Sequence, residues 1–217
     1  MKKHIIYIGL MCTFFVASIS MEAQENKKNI KRTECSFSSH LGYSYMIDGI
    51  AGLSSLSEEY NDKLRSGIAW DLQFDFRQSR FTAGFLFSLY TSKGKTDYTS
   101  DRIFINYVVP QFGFYLLLPE QSDISVKMVG GIGYIMYRNN SRVFGNERKI
   151  KENFIGLNFG LSGIYRLSSH IGFSMEAKLI ASDKYKFNVN YHGNTYEVNQ
   201  EFPLTHISIS AGINYIF

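Results

Sequence analysis

From Thr205 to Phe217 the sequence alternates strictly between two residue sets. Thr205, Ile207, Ile209, Ala211, Ile213, Tyr215 and Phe217 form one; His206, Ser208, Ser210, Gly212, Asn214 and Ile216 form the other. A period of two puts successive side chains on opposite faces of a β-strand, here one apolar face and one mostly polar face. The sequence reaches its end on this strand, at an aromatic residue. A strand at an open sheet edge is a liability. In a sheet that closes on itself the last strand pairs with the first, and no edge remains.

The same rhythm recurs upstream over 35–46, 67–77, 81–91, 103–117, 124–137, 153–167 and 171–182. In 67–77, for example, Ile68, Trp70, Leu72, Phe74 and Phe76 alternate with Ala69, Asp71, Gln73, Asp75 and Arg77. The 103–117 strand is apolar on both faces and contains Pro110, which predicts a bulge there because proline removes a ladder donor. The stretches between strands alternate in length. Those at 47–66, 92–102, 138–152 and 183–203 are long and polar, while those at 78–80, 118–123 and 168–170 are short. Short turns at one end and long loops at the other, joining strands long enough for a tilted crossing of hydrocarbon, are the pattern of a transmembrane barrel. The expected fold is all-β: an eight-stranded antiparallel up-and-down transmembrane β-barrel.

A chain of 217 residues with 18 Phe, 15 Tyr and only 3 Pro suits one β-rich domain. After residue 23 no run of about 18 apolar residues occurs, which excludes a helical membrane protein and leaves a barrel open. Lys2 and Lys3 precede an apolar run at 5–19 and then small residues, with cleavage expected after Ser20 or Ala23. The expected organisation is a signal peptide at 1–23, a flexible lead at 24–34 and the barrel at 35–217. Loss of Lys2, Lys3 and Glu22 lowers the formal charge from +4 to +3, too small for a nucleic-acid partner. Cys35 alone remains, so no internal disulfide is available.

Ser210-x-Gly212-x-x-Tyr215-x-Phe217 resembles the carboxy-terminal targeting signal of bacterial outer-membrane barrels, which the outer-membrane assembly machinery reads. The whole mature chain resembles the small barrels of the OmpA/OmpX type, and especially the porin-like "outer membrane protein beta-barrel" family common in Bacteroidetes. The segment 102–138, with Pro110 and Val129-Gly130-Gly131-Ile132-Gly133, is similar to the middle of that family. The resemblance implies a monomer in the outer membrane of a Gram-negative cell, with outer-membrane lipids and lipopolysaccharide as surroundings. It implies almost nothing about activity.

Alternation turns Asp71, Asp75, Arg77, Lys127, Arg166, Glu176, Lys178 and His206 inward. Eight strands enclose a bore just wide enough for side chains to fill, so these charges read as a mutually paired plug. A narrow porin or a transport or secretion accessory is the alternative. A lipid A-modifying enzyme is a second: His206-x-Ser208 loosely resembles the His-x-Ser of barrel deacylases, with Glu176 as a third member. The residue after the serine is Ile209 where that family has Asn, and both side chains point away from lipid. The expectation is therefore no enzyme. The five histidines are scattered and the glycines at 130–133 lie within a strand, so neither a metal nor a phosphate loop is read and no cofactor is implied. The remaining candidates are Arg138, Arg142, Arg148, Lys149 and Lys151, a basic stretch read as an external loop with Lys93 and Lys95 nearby. They would attract lipopolysaccharide phosphates or adhere to an anionic host or matrix ligand. The expected role is structural or surface interaction through long external loops.

Overall fold

The computed structural model describes residues 33–47, 58–119, 122–182, 186–191, 193–199 and 201–217. The expected signal peptide and all but the last two residues of the expected lead lie outside the described residues. The elements are β1 (Thr33–Met46), α1 (Glu58–Arg65), β2 (Ser66–Gln78), β3 (Phe81–Lys95), β4 (Thr99–Leu117), β5 (Ile124–Val143), β6 (Asn146–Arg166), β7 (Ile171–Ser182), β8 (Lys186–Tyr191), β9 (Asn194–Asn199) and β10 (Leu204–Ile216).

Strands β1 to β7 each pair antiparallel with the next, and β10 returns to pair with both β7 and β1. Eight strands thus close without an edge. The seam runs from Ser36 opposite Ile216 to Met46 opposite His206, and the Phe217 amide donates to the Cys35 carbonyl at 2.9 Å. The alternation read in the sequence is the wall of this barrel. Leu41, Phe85, Ile155 and Ile213 are each more than 60% exposed on the outside. Ser38, Asp71, Lys127, Glu176 and Ser208 are buried inside. So much apolar surface on one continuous wall marks a lipid or protein contact rather than a water-facing surface.

Two expected long loops are mostly strand. β3 and β4 are joined by residues 96–98 alone, and β5 and β6 by residues 144–145. β4, β5 and β6 run to 19, 20 and 21 residues, so their sheet rises well beyond the ends of β1 and β7. Those stretches read as loop because both of their faces are polar. The inward face is polar for a reason given below. The expected 183–203 loop contains a β8–β9 hairpin that extends the raised sheet through pairs such as Ile150 with Val189. The expected 47–66 loop contains α1, eight residues that would be marginal alone and are held by packing.

Pro110 causes no bulge. It sits on the outer face opposite Phe85, and the β4–β5 register is the same on both sides of it. The register shift lies between Tyr115 and Leu117. The interior also differs from a wholly hydrophilic bore. Tyr90, Ile103, Ile105, Tyr107, Ile135, Tyr137, Ile150, Phe154 and Ile180 form an apolar core toward the raised end, completed by Tyr60, Leu64, Phe187 and Phe202. Here α1 and the segments around β8 fold over the mouth, so inward positions can be apolar. Phe202 is the hub, with ring centroids 4.9, 5.2 and 5.3 Å from Tyr137, Phe154 and Phe187.

Candidate functional site

Below the apolar core the bore holds the inward charges. Lys127 of β5 pairs with Asp75 of β2, and Lys178 of β7 reaches Asp71 of β2 at 2.5 Å and Glu176 at 3.7 Å. Gln73 and Gln111 donate to the Asp75 carboxylate at 3.3 Å each. His40 meets the Ser174 hydroxyl at 2.7 Å across the bore. The links from Lys127 and Gln111 to Asp75, from Lys178 to Asp71 and from His40 to Ser174 join strands that are not neighbours, so they brace the barrel from inside. Buried charges in this setting depend on their partners.

At the end carrying the short turns, Glu34 accepts from Arg77 at 2.9 Å and from Arg166 at 2.8 Å. Glu34 stands in the stretch read as a flexible lead, and no periodic pattern marked it. Arg166 is half-buried, unlike the other seven inward residues, because it lies at the barrel's rim. His206 stacks on Tyr90 at 5.8 Å. Ser208 is buried on the same face, and Glu176 is engaged by Lys178. The three are therefore not linked as nucleophile, base and orienting acid. Among the described residues no group of His, Cys, Asp or Glu is arranged to hold a metal ion.

The basic stretch of 138–151 is not a loop. β5 and β6 carry it as two paired strands, with Arg138 opposite Lys151, Asn140 opposite Lys149, and Arg142 opposite Glu147. Arg148 points inward, correcting its assignment to an external surface. Its guanidinium lies 3.5 Å from Asp101 and 3.2 Å from the Ser141 hydroxyl. Asp101 also accepts from Tyr60 at 2.6 Å, from Asn139 at 3.2 Å and from Ser141. Burial, reinforced by the hydrogen bond to Asp101, pushes the Tyr60 phenol well above its usual range. This cluster is what makes the inner face of the raised sheet polar, and it ties α1 to β4 and β5. Asp101, Asn139 and Ser141 looked like loop residues because a buried polar network has no apolar period to read.

On the outer face the cations lie in register across four strands. Lys93 of β3 is opposite Arg102 of β4, which is opposite Asn140 of β5, which is opposite Lys149 of β6. One step lower, Phe104 is opposite Arg138, which is opposite Lys151. Lys149 has Glu147 at 2.9 Å, and Glu147 also faces Arg142. Among the described residues no carboxylate pairs with Lys93, Arg102, Arg138 or Lys151, all of them exposed. These rows begin where the apolar wall stops: Arg138 follows Met136 on the outward face of β5, and Arg102 precedes Phe104 on β4.

The residues of the targeting pattern have structural surroundings of their own. Tyr215 and Phe217 are exposed and meet edge-to-face at 5.0 Å. Ser210 and Gly212 face inward at the seam. A Cβ on Gly212 would overlap the Ser39 carbonyl and lie 2.7 Å from the His40 Cα, so this position needs glycine for closure itself.

No protein-family model matches the chain, and no curated protein sequence matches it. Solved structures do. The outer-membrane protein OprG of Pseudomonas aeruginosa is similar with a TM-score of 0.58 at 13% identity, over 86% of this chain and 97% of that one. A major outer-membrane protein of Thermus thermophilus gives 0.57 at 12% identity, over 84% and 99%. Ail, the attachment invasion locus protein of Yersinia pestis, gives 0.51 at 11% identity, over 86% and 99%. The fold is that of the small bacterial outer-membrane β-barrels.

Proposed function

We propose that this chain is a monomeric outer-membrane protein whose barrel is a lipid-embedded anchor and whose raised sheet binds an anionic ligand outside the cell. The apolar wall fits acyl chains, and a barrel that closes on itself needs no second copy to cover an edge. In this reading the short-turn end faces the periplasm, and Ser210, Gly212, Tyr215 and Phe217 serve recognition by the assembly machinery. Lipopolysaccharide surrounds the raised sheet, and the proposed ligand is separate from it. The filled bore supports neither a pore nor a transport role, and a Ser208 hydroxyl that among the described residues has no hydrogen-bond partner, with Glu176 taken up by Lys178, argues against lipid hydrolysis.

The observation that carries the reading is Arg138 directly opposite Lys151. Like charges facing each other across a strand pair destabilise it by a few tenths to about 1 kcal/mol. Here Arg102, one strand away, adds a third cation, and among the described residues no carboxylate relieves them. An anion seated across these residues removes that repulsion. Ail, which shares the fold, is described in complex with the heparin analogue sucrose octasulfate. That is a property of Ail; it shows that a barrel of this architecture holds a polyanion.

The test is binding of a soluble polyanion to the protein in nanodiscs free of lipopolysaccharide. Affinity should fall steeply with salt and drop in Arg138→Ala/Lys151→Ala. Binding that is unchanged in high salt or in the double variant would overturn the proposal.

A further inference from the structure

The tips of the two raised hairpins present an exposed aromatic pair. Tyr98, between β3 and β4, is 68% exposed, and Phe144, between β5 and β6, is 75% exposed. Their rings lie 5.8 Å apart at 34°, and the Phe144 amide donates to the Tyr98 carbonyl at 2.9 Å, so the two tips are fixed together. The Tyr98 turn is ordered in turn by Thr96, whose amide donates to the Thr99 carbonyl at 2.7 Å.

Phe144 has φ 47° and Gly145 φ 83°, with Val143 paired to Asn146 on either side. This two-residue connection needs positive φ at both positions, which Asn-Gly or Gly-Gly supply without strain. A bulky residue in that region is an outlier, and Phe144 gains no buried packing in return. An observed backbone outlier at an exposed position is a reason to look for function. The rest of the setting is charged. Lys95 and Arg142 are exposed beside the tips, and Arg102 and Lys93 stand about 13 Å down the same face, at about 3.3 Å per residue from Tyr98. Asp97 shares the Tyr98 turn, so the anion sites lie on the sheet below and the tip itself reads something uncharged.

We propose that Tyr98 and Phe144 form a stacking platform for the sugar rings of an acidic polysaccharide whose charged groups lie along Lys93, Arg102, Arg138 and Lys151. The C–H face of a pyranose carries slight positive charge and packs on the negative face of an aromatic ring. Only a ligand with both ring faces and regularly spaced anions uses both halves of this surface. Phe144 lies eight residues beyond Met136, where the apolar wall ends, about 26 Å along the strand. The platform therefore stands clear of the lipid headgroups and fits a polysaccharide that is not part of the membrane holding the barrel. This inference rests on the anionic-ligand reading above and names the ligand class.

The experiment compares a heparin oligosaccharide with polyphosphate, a polyanion lacking sugar rings, on the full mature protein in nanodiscs without lipopolysaccharide. Phe144→Asn creates the favoured Asn-Gly turn, so thermal stability should be unchanged or raised. Its heparin affinity should fall at least tenfold with polyphosphate affinity unchanged, and Tyr98→Ser should behave alike. Arg138→Ala/Lys151→Ala should lose both polymers. Wild-type heparin affinity in Phe144→Asn, or equal loss of both polymers, would overturn the platform while leaving the anionic-ligand reading in place. Binding of neither polymer by the wild type would overturn both.

Discussion

Arg148 of β6 sets its guanidinium 3.5 Å from the carboxylate of Asp101 on β4, inside the sheet that rises past the barrel. Its neighbours along the basic stretch, Lys149 and Lys151, point outward. The two directions have different consequences. Arg148→Ala removes a cation from a carboxylate that keeps three other donors, and should cost about 1–3 kcal/mol. Arg138→Ala should change stability by less than about 0.5 kcal/mol and weaken ligand binding instead. Urea unfolding in lipid vesicles, run beside the binding assay, separates them; an inert Arg148→Ala would contradict the inward placement.

Lys127 and Asp75 are both buried and paired across the bore. Lys127→Ala leaves the buried Asp75 carboxylate its amide donors Gln73 and Gln111 but takes away the Lys127 cation, and should cost about 3–5 kcal/mol, whereas Asp75→Leu/Lys127→Met should recover most of that loss. The same internal packing, with Phe202 at its apolar hub, leads us to expect no stable single-channel conductance in planar bilayers. Large, reproducible current steps would show that the bore is open.

Gly212 and Phe217 belong to the same terminal pattern but should fail differently. Gly212→Val places methyl groups against the His40 backbone at the closing seam, and should block refolding even in pure detergent. Tyr215→Ala/Phe217→Ala should refold in detergent and be assembled poorly in cells. Gel mobility of the unheated protein reads both. Normal refolding of Gly212→Val would remove the packing role assigned here.

Tyr60 should make the docking of α1 sensitive to alkali. Its folded-state pKa is raised by burial and by Asp101. A raised pKa means that its contribution is complete below the unfolded value of about 10 and declines as pH rises above it. Between about pH 10 and 12 the wild type should lose stability faster than Tyr60→Phe. Parallel curves for the two proteins would refute the buried hydrogen bond to Asp101.

The barrel was legible because each wall strand has two chemically distinct faces. Ile68 to Arg77 and Ile171 to Lys178 state their inward and outward sides residue by residue. Legibility ended where that contrast ended. Arg138 to Val143 is polar on both faces because the inner one packs around Asp101, and so it read as loop. Pro110 signalled a bulge, but the β4–β5 ladder skips only the pairs at Val109 and Pro110 and resumes in the same register at Gln111 opposite Gly131. The inward charges could be assigned to a face, while their pairing could not: Glu34 meets Arg166 across 132 positions of sequence, a separation no local pattern encodes. Of the basic stretch, alternation alone would have turned Arg148 inward had the segment been read as strand.

Trp70, the only tryptophan in the chain, reports directly on whether the apolar wall faces lipid. It lies on the outward face of β2, 40% exposed, with its indole nitrogen donating to Ser39 at 3.1 Å. Reconstituted into vesicles of lipids brominated on the acyl chains, the protein should show strong quenching of Trp70 fluorescence and little quenching by aqueous acrylamide. Fluorescence untouched by brominated lipid in a protein that stays folded in detergent-free buffer would contradict the central claim.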